Sequence, residues 1–482
     1  MERKSNSIFI HFSTSGLKLF GFLFVFLFVF GISFLQSHFG LAQNKKPNII
    51  FILTDDQRAE AMGYAGNKII KTPEMDKLAS QGIYFKNAFV TTPICAASRA
   101  SILTGLYERT HLYTFQQGNL KQGYADNSYP TLLKKAGYYT GFFGKFGVEY
   151  PSFNTMFDQG ENYDRNTKYK DHRGYFYKTL GKDTVHLTRY TSQKAMDFIS
   201  SAPTDQPFCL SLSFSAPHAH DPAVDQYFWQ PEVDHLYKDV VIPPPIMASD
   251  ADFMAQPDYV RNGENHTRWL WRFDTPEKYQ KSMKGYYRMI SGVDLEIGKI
   301  RRLLAERGLD KNTIIIFLGD NGYFLGERQF ADKWLMYDKS LRVPMMIYDP
   351  RNPKHRVIED EVLNIDIAPT IFGFAGLSQP KSWQGVNLSG YTKAASPAKS
   401  RVDFLCEHLW KVDIIASSEG FRTKKWKYFR YREDLKHEEL YDLSKDPLEK
   451  TNLVNEPRFK SVLIEMRQKM EKKIASLEKS RL

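Results

Sequence analysis

Along this chain, short and nearly unbroken apolar runs alternate with longer amphipathic stretches, the pattern of strands buried on both faces and of the helices that cover them. Four of the runs end in polar chemistry. Asn48 to Thr54 leads into Asp55-Asp56, Tyr138 to Phe143 into Gly144-Lys145, Phe208 to Phe214 into Ala216-Pro217-His218, and Thr313 to Leu318 into Gly319-Asp320-Asn321. Ile290, Val293, Ile297, Ile300 and Leu303-Leu304 recur at helical spacing and predict a core-packing helix between Ile290 and Gly308. No internal repeat or low-complexity tract interrupts the series. The expected fold is α/β, a large, mixed but mostly parallel sheet sandwiched by helices. From about Ser396 the texture changes. Trp426 to Tyr431 alternates like a half-exposed strand, Glu439 to Leu443 reads as its partner, and Ser461 to Leu477 reads as an amphipathic helix. A smaller C-terminal α+β subdomain with antiparallel strands is therefore expected over 396–482, after a catalytic domain over 43–395.

The first 42 residues carry an address. Arg3, Lys4 and Lys18 precede an apolar run from Leu19 to Leu35, and Gly40-Leu41-Ala42 offers a small-residue cleavage site before Gln43, the order of a secretory signal peptide. The run lies between a usual signal core and the ~20 residues that span a bilayer, so an uncleaved anchor is the rival reading. Cleavage predicts a periplasmic or secreted protein without stable membrane association. The three cysteines, Cys95, Cys209 and Cys406, are an odd number for an exported chain, so at least one thiol stays unpaired or is used chemically. Cys209, inside an apolar run, reads as a small buried residue.

The formal charge of +11 suits an anionic partner. The Lys and Arg residues are scattered, and no nucleic-acid motif accompanies them, which leaves sulfated or carboxylated polysaccharide as the fitting polyanion. Asp55, Asp56, Asp320 and Asn321 would supply only hard oxygen ligands, the chemistry of Ca²⁺, with Mg²⁺ second, and not of zinc. Crevices in open α/β sheets lie beyond the carboxyl ends of parallel strands, so these acids, His218 and Lys145 are expected to converge although they are far apart in sequence. Arg99, Lys145 and Lys333 add cations. A metal with several Lys or Arg groups makes a clamp for a tetrahedral oxyanion, phosphoryl or sulfuryl.

These residues together resemble the formylglycine-dependent type I sulfatases of the alkaline phosphatase superfamily. The signature, Cys-x-Pro-Ser-Arg followed by a small-residue helix and Thr-Gly, stands here as Cys95-Ala96-Ala97-Ser98-Arg99 and Leu103-Thr104-Gly105, with alanine in place of the common proline. The likeness runs in order through Leu53 to Gln57, Ala216-Pro217-His218, Gly319 to Glu327, Asp332-Lys333, Ser340 to Pro344, Leu440 to Leu443 and Asp446-Pro447. It implies an alkaline phosphatase-like fold and a precise chemistry. A maturation system would oxidise Cys95 to formylglycine, whose aldehyde hydrates to a diol; one hydroxyl attacks sulfur and the second then expels sulfate. Asp55, Asp56, Asp320, Asn321 and the modified residue 95 would hold Ca²⁺. Arg99 would orient the diol, Lys145 and Lys333 would bind sulfate oxygens, and His218 would protonate the leaving alcohol.

The chain departs from this pattern at two places. Many family members carry Gly-Lys-x-His, where this sequence has Gly144-Lys145-Phe146-Gly147; His111 or His220 could fill the gap. Glu327-Arg328 stands where many relatives have Glu-His, so Arg328 is expected to reach a carboxylate or second sulfate on the substrate. His408, beside Trp410, is a further candidate to line a sugar subsite. The expected activity is an exported sulfatase acting on a sulfated carbohydrate, either an algal polysaccharide such as ulvan or carrageenan or glycosaminoglycan oligosaccharides. A phosphoester hydrolase of the same superfamily and a non-catalytic binder of sulfated glycans are the alternatives.

Overall fold

Eight strands make the central sheet of the computed structural model, which describes residues 1, 6–8, 10, 45–393 and 401–481. They are β1 (Asn48–Thr54), β2 (Ile83–Phe89), β3 (Tyr139–Gly144), β4 (Gln159–Asn162), β5 (Phe208–Phe214), β6 (Thr313–Gly319), β7 (Met345–Tyr348) and β8 (Arg356–Leu363), in spatial order β8-β2-β7-β6-β1-β5-β3-β4. Every pairing is parallel except those of β7, which runs against both β6 and β2. The four apolar runs that end in polar chemistry are thus adjacent parallel strands, β6-β1-β5-β3.

The strands β1, β5 and β6 are buried along their whole length because both faces are covered. Ile49, Phe51, Leu53, Ile314, Ile316 and Leu318 point into one core with the helix Cys95–Thr104 and the helix Ile367–Ala375. Ile50, Ile52, Ile315 and Phe317 point into the other with the helices Leu187–Ser201 and Pro276–Glu306. Alternation along each strand therefore feeds two cores, one on each side of the sheet. The expected helix at 290–308 is the second half of a longer one. It starts at Pro276, capped by the Thr275 hydroxyl, which accepts from the Lys278 N–H at 3.2 Å.

Four antiparallel strands, β9 (Asp403–His408), β10 (Ser418–Thr423), β11 (Trp426–Tyr431) and β12 (Glu438–Asp442), form the C-terminal sheet in sequential order. The last helix, Lys460–Glu478, packs Leu463, Met466, Met470, Ile474 and Leu477 with Phe404, Phe421 and Tyr428 in the same core as the Cys95 helix. Residues 47–482 make one compact unit. The expected division between 395 and 396 falls in residues 394–400, outside the described residues, and of the expected signal segment, 1–42, only residues 1, 6–8 and 10 are described. Among the described residues no helix is long and apolar enough to cross a membrane.

Candidate active site

Cys95 opens a ten-residue helix, Cys95–Thr104, every residue of which is buried. Its alanines, Ala96, Ala97 and Ala100, let it pack closely, and Gly105 ends it in a left-handed turn (φ 65°) whose N–H donates to Ser101 O at 2.9 Å. The first turn of a helix leaves its N–H groups unpaired and carries partial positive charge. Residue 95 therefore sits at a place that favours an anion. Its thiol is raised by burial, against the pull of Lys145 and Lys333, which disfavours the thiolate form.

Asp55 and Asp56 follow β1, Lys145 follows β3, and Asp320 and Asn321 follow β6, so neighbouring strand ends deliver all five. Asp56 adopts φ 66°, which carries its N–H to Asp320 Oδ1 at 3.1 Å. Asn321 Nδ2 donates to Asp56 Oδ1 at 2.7 Å and Lys333 Nζ donates to the same oxygen. Lys145 Nζ donates to Asp55 Oδ2 at 2.5 Å and to Cys95 Sγ at 3.7 Å. Arg99 reaches Asp320 Oδ2 through Nε at 2.9 Å and Ser213 Oγ through Nη1 at 2.5 Å. His218 Nδ1–H donates to Ala219 O at 2.6 Å, which turns Nε2 to Asp56 Oδ2, 3.4 Å away.

The electrostatics are those of an acid cluster short of positive charge. Burial raises Asp56, Lys333 opposes it, and Asp55, Asp332 and Asp320 add to the rise, leaving the carboxyl at about 7. Asp320, lifted by burial and Asp55 against Arg99, Lys333 and Lys145, stands at about 6. Asp55 alone is lowered, since Lys145, Arg99 and Lys333 outweigh its burial. Lys145 and Lys333 are buried yet raised, Lys145 by Asp164 and Asp55, Lys333 by Asp56 and Cys95. His218 is held well below the usual imidazole value by burial and by Arg165, Lys333 and Lys145.

A divalent cation fits this donor set. Asp55 Oδ1, Asp56 Oδ2 and Asn321 Oδ1 are buried oxygens with no hydrogen-bond partner, the kind of oxygens a cation satisfies. Asp55, Asp56 and His218 each offer an atom within 4.8 Å of the others. Three carboxylates and an amide oxygen suit a hard ion that takes oxygen ligands.

Three residues read from the sequence as site candidates, Arg328, His220 and His408, are buried within the fold. Arg328 is 3% exposed and turned away, donating through Nη2 to Glu449 O at 2.5 Å and Leu448 O at 3.2 Å, with its guanidinium 4.0 Å over the Tyr337 ring. It ties the loop to the C-terminal part of the chain, while its neighbour Glu327 pairs with Arg58 at 2.7 Å. Arg328→Ala is accordingly expected to lower the melting temperature, at a cost of about 2 kcal/mol for two lost bonds and a ring contact, and to leave KM for sulfated substrates unchanged. A raised KM with an unchanged melt would restore the substrate-binding reading. His220 is buried, bonded through Nε2 to Tyr169 O at 2.7 Å and packed on Gly174, where a Cβ would stand 2.2 Å from its ring. His408 is fully buried in β9, with no surface to offer a sugar, and is lowered by burial to about 4.

Among the described residues, His111 does not take the place of the histidine missing at 147. His111 supports the Cys95 helix from behind, its Nε2 3.0 Å from Ser101 Oγ and its Nδ1 accepting from Tyr113 N–H at 3.1 Å. Gly147 has φ 69°, and a Cβ there would stand 2.7 Å from Arg99 Cδ. A side chain at 147 would therefore displace the arginine that grips Asp320.

Sequence reasoning missed Asp164 and Arg165. Asp164 lies 3.4 Å from Lys145 Nζ, and Arg165 donates to Ala219 O beside His218. They stand just beyond β4, a strand end like the others, but β4 is short and mostly exposed, so no apolar run announced it. Ser213, in β5, was missed because its hydroxyl faces Arg99 only once the strands are paired.

The Sulfatase family profile matches residues 47–377, and that of the N-sulphoglucosamine sulphohydrolase C-terminal region matches 326–476. An arylsulfatase of Clostridium perfringens is 30% identical over 86% of this chain and 92% of its own length. An N-acetylglucosamine-6-O-sulfatase of Bacteroides thetaiotaomicron is 26% identical over 89% and 86%. A solved structure of a protein in complex with its substrate D-glucosamine-2-N,6-O-disulfate superposes with a TM-score of 0.78 at 24% identity, covering 90% of this chain and 99% of that one. With a family match over more than half its length and a relative 30% identical over 86% of it, the chain belongs to the sulfatase family and is a sulfuric ester hydrolase.

Proposed function

We propose that this sulfatase removes sulfate from a sulfated carbohydrate, with formylglycine at position 95 and Ca²⁺ held by Asp55, Asp56, Asp320 and Asn321. The observation that carries the reading is the grouping of three partnerless buried oxygens, on Asp55, Asp56 and Asn321, with Lys145 in reach of residue 95. Bound together, the oxidised residue supplies a hydrated aldehyde as nucleophile and the cation supplies a Lewis acid. The chain's own groups do the rest. Lys145 and Lys333 grip sulfate oxygens, exchanging part of their bonds to Asp55 and Asp56 for the substrate's charge. Arg99, fixed by Asp320 and Ser213, orients residue 95. His218 has its Nδ1–H engaged by Ala219 O, so Nε2 is the nitrogen that faces the leaving oxygen, and it acts as the acid by first taking up a proton when the anionic ester binds.

The carbohydrate class is supported by relatives named for N-acetylglucosamine-6-sulfate and for glucosamine disulfate, together with a basic chain of formal charge +11. Export through the segment 1–42 and conversion by a maturation system complete the proposal, with 43–395 as the catalytic domain and 396–482 as its C-terminal subdomain. The test is a desulfation screen over defined sulfated oligosaccharides, with residue 95 of the protein first checked by peptide mass. Sulfate release from at least one of them is expected. Faster turnover of phenyl phosphate than of phenyl sulfate would reverse the assignment of the ester, and binding of sulfated oligosaccharides without release would reverse the assignment of catalysis.

A further inference from the structure

Lys333 stands in a backbone that side-chain-bearing residues rarely adopt. Asp332 has φ 73° and Trp334 φ 78°, both left-handed, so the two residues flanking the lysine are strained. Such conformations persist only where the surroundings over-determine them. Here the surroundings are chiefly one nine-residue helix, Glu264–Arg272.

Asn265, 4% exposed, uses the two protons of its amide as a fork. Its Nδ2 donates to Ala331 O at 2.7 Å and to Lys333 O at 2.9 Å. One turn on, Arg268 Nη1 donates to Asp332 Oδ2 at 2.5 Å, and one turn further Arg272 Nη1 donates to the same oxygen at 3.2 Å. The spacing 265, 268, 272 puts all three on one face of the helix. Arg268 also lies over the Trp334 ring at 5.1 Å, and the Trp334 N–H donates to Pro93 O at 3.0 Å, two residues before Cys95. Charge explains why two arginines are needed. Asp332 Oδ1 is 3.9 Å from Lys333 Nζ, close enough to draw the ammonium away from Asp56; two guanidinium groups, which also pair with Asp221, hold the other oxygen of that carboxylate, Oδ2, and offset its charge.

The geometry points to Asn265, Arg268 and Arg272 as positioning residues for Lys333: they hold its backbone and neutralise its neighbour so that its ammonium faces the sulfate position beside Asp56. None of them touches the reacting atoms. This inference rests on the reading of Lys333 as a sulfate-binding group.

A double-mutant cycle on the full, matured enzyme separates the two claims. The parent, Asn265→Ala, Lys333→Ala and the double variant are compared by kcat/KM on p-nitrophenyl sulfate and by inhibition with inorganic sulfate. Asn265→Ala is expected to cost about 10²-fold in kcat/KM, the scale of a small misplacement of a catalytic group, and to weaken sulfate inhibition. In the Lys333→Ala background the same change is expected to cost less than about 2-fold and to leave sulfate inhibition unaltered. Equal losses in both backgrounds overturn the positioning role while leaving Lys333 as a sulfate group. Lys333→Ala with full activity overturns the reading of the site itself. If Asn265→Ala does not fold, Arg268→Lys takes its place in the same cycle. It keeps the charge, loses the fork, and changes a side chain that is 17% exposed; the same outcomes decide.

Discussion

Cys95→Ala is expected to abolish sulfate release, by about 10⁴-fold or more, while the protein keeps its fold. The magnitude is that of losing a nucleophile whose partners act only through it. Lys145 and Lys333 would still bind the ester, so KM or the inhibition constant of sulfate should move far less than kcat. The fold should survive because the change removes one sulfur atom from a helix already built of small side chains; a cost of about 1 kcal/mol is expected, visible as a small shift of the thermal melt. Retained sulfate release, in protein shown by peptide mass to carry alanine, would remove residue 95 from the mechanism and with it the argument that a buried thiol needs chemical conversion.

Removing divalent metal is expected to have the second largest effect. Asp56 and Asp320 are crowded by each other and by Asp55, and three oxygens of the cage lack any partner. A chelator should therefore reduce kcat to background and lower the melting temperature together, since the ion binds the folded cage and not the unfolded chain. At a metal concentration 100 times its dissociation constant that linkage is worth about 2.7 kcal/mol. Ca²⁺ should restore both readouts, and more completely than Mg²⁺, because a cage of several protein oxygens suits Ca²⁺, whereas Mg²⁺ dehydrates reluctantly and keeps several waters. Restoration of the melt without restoration of turnover would make the ion structural. No change in either would empty the site of metal altogether.

The sheet was legible because β1, β5 and β6 are covered on both faces and so read as unbroken apolar runs, with their functional residues at the next position. Asp55, Asp56, His218, Asp320 and Asn321 were singled out for that reason. What the sequence hid was orientation and support. Arg328 follows an acidic residue inside a motif-rich loop, but φ 56° at that residue and the carbonyls of Leu448 and Glu449 turn it to the C-terminal part of the chain. His220 and His408 carry a chemistry that suggests function, and their burial, which decides otherwise, depends on packing across the fold. The helix Glu264–Arg272 gave no signal at all. Its residues matter through carbonyls and a carboxylate some 60 positions downstream, and nothing local marks an asparagine as a fork.

Thr54 stands opposite Phe214 on one side and Gly319 on the other, and Gly144 stands opposite Ser213. The level of the site is thus set by hydrogen-bonded register and not by the lengths of the crossovers between strands. Variation can therefore accumulate in those crossovers without disturbing the chemistry, whereas a single residue inserted within β1 would exchange its two faces. Such a frame lets a lineage remodel what surrounds the sulfate position, and so which ester is admitted, while the groups that cleave it stay on one line.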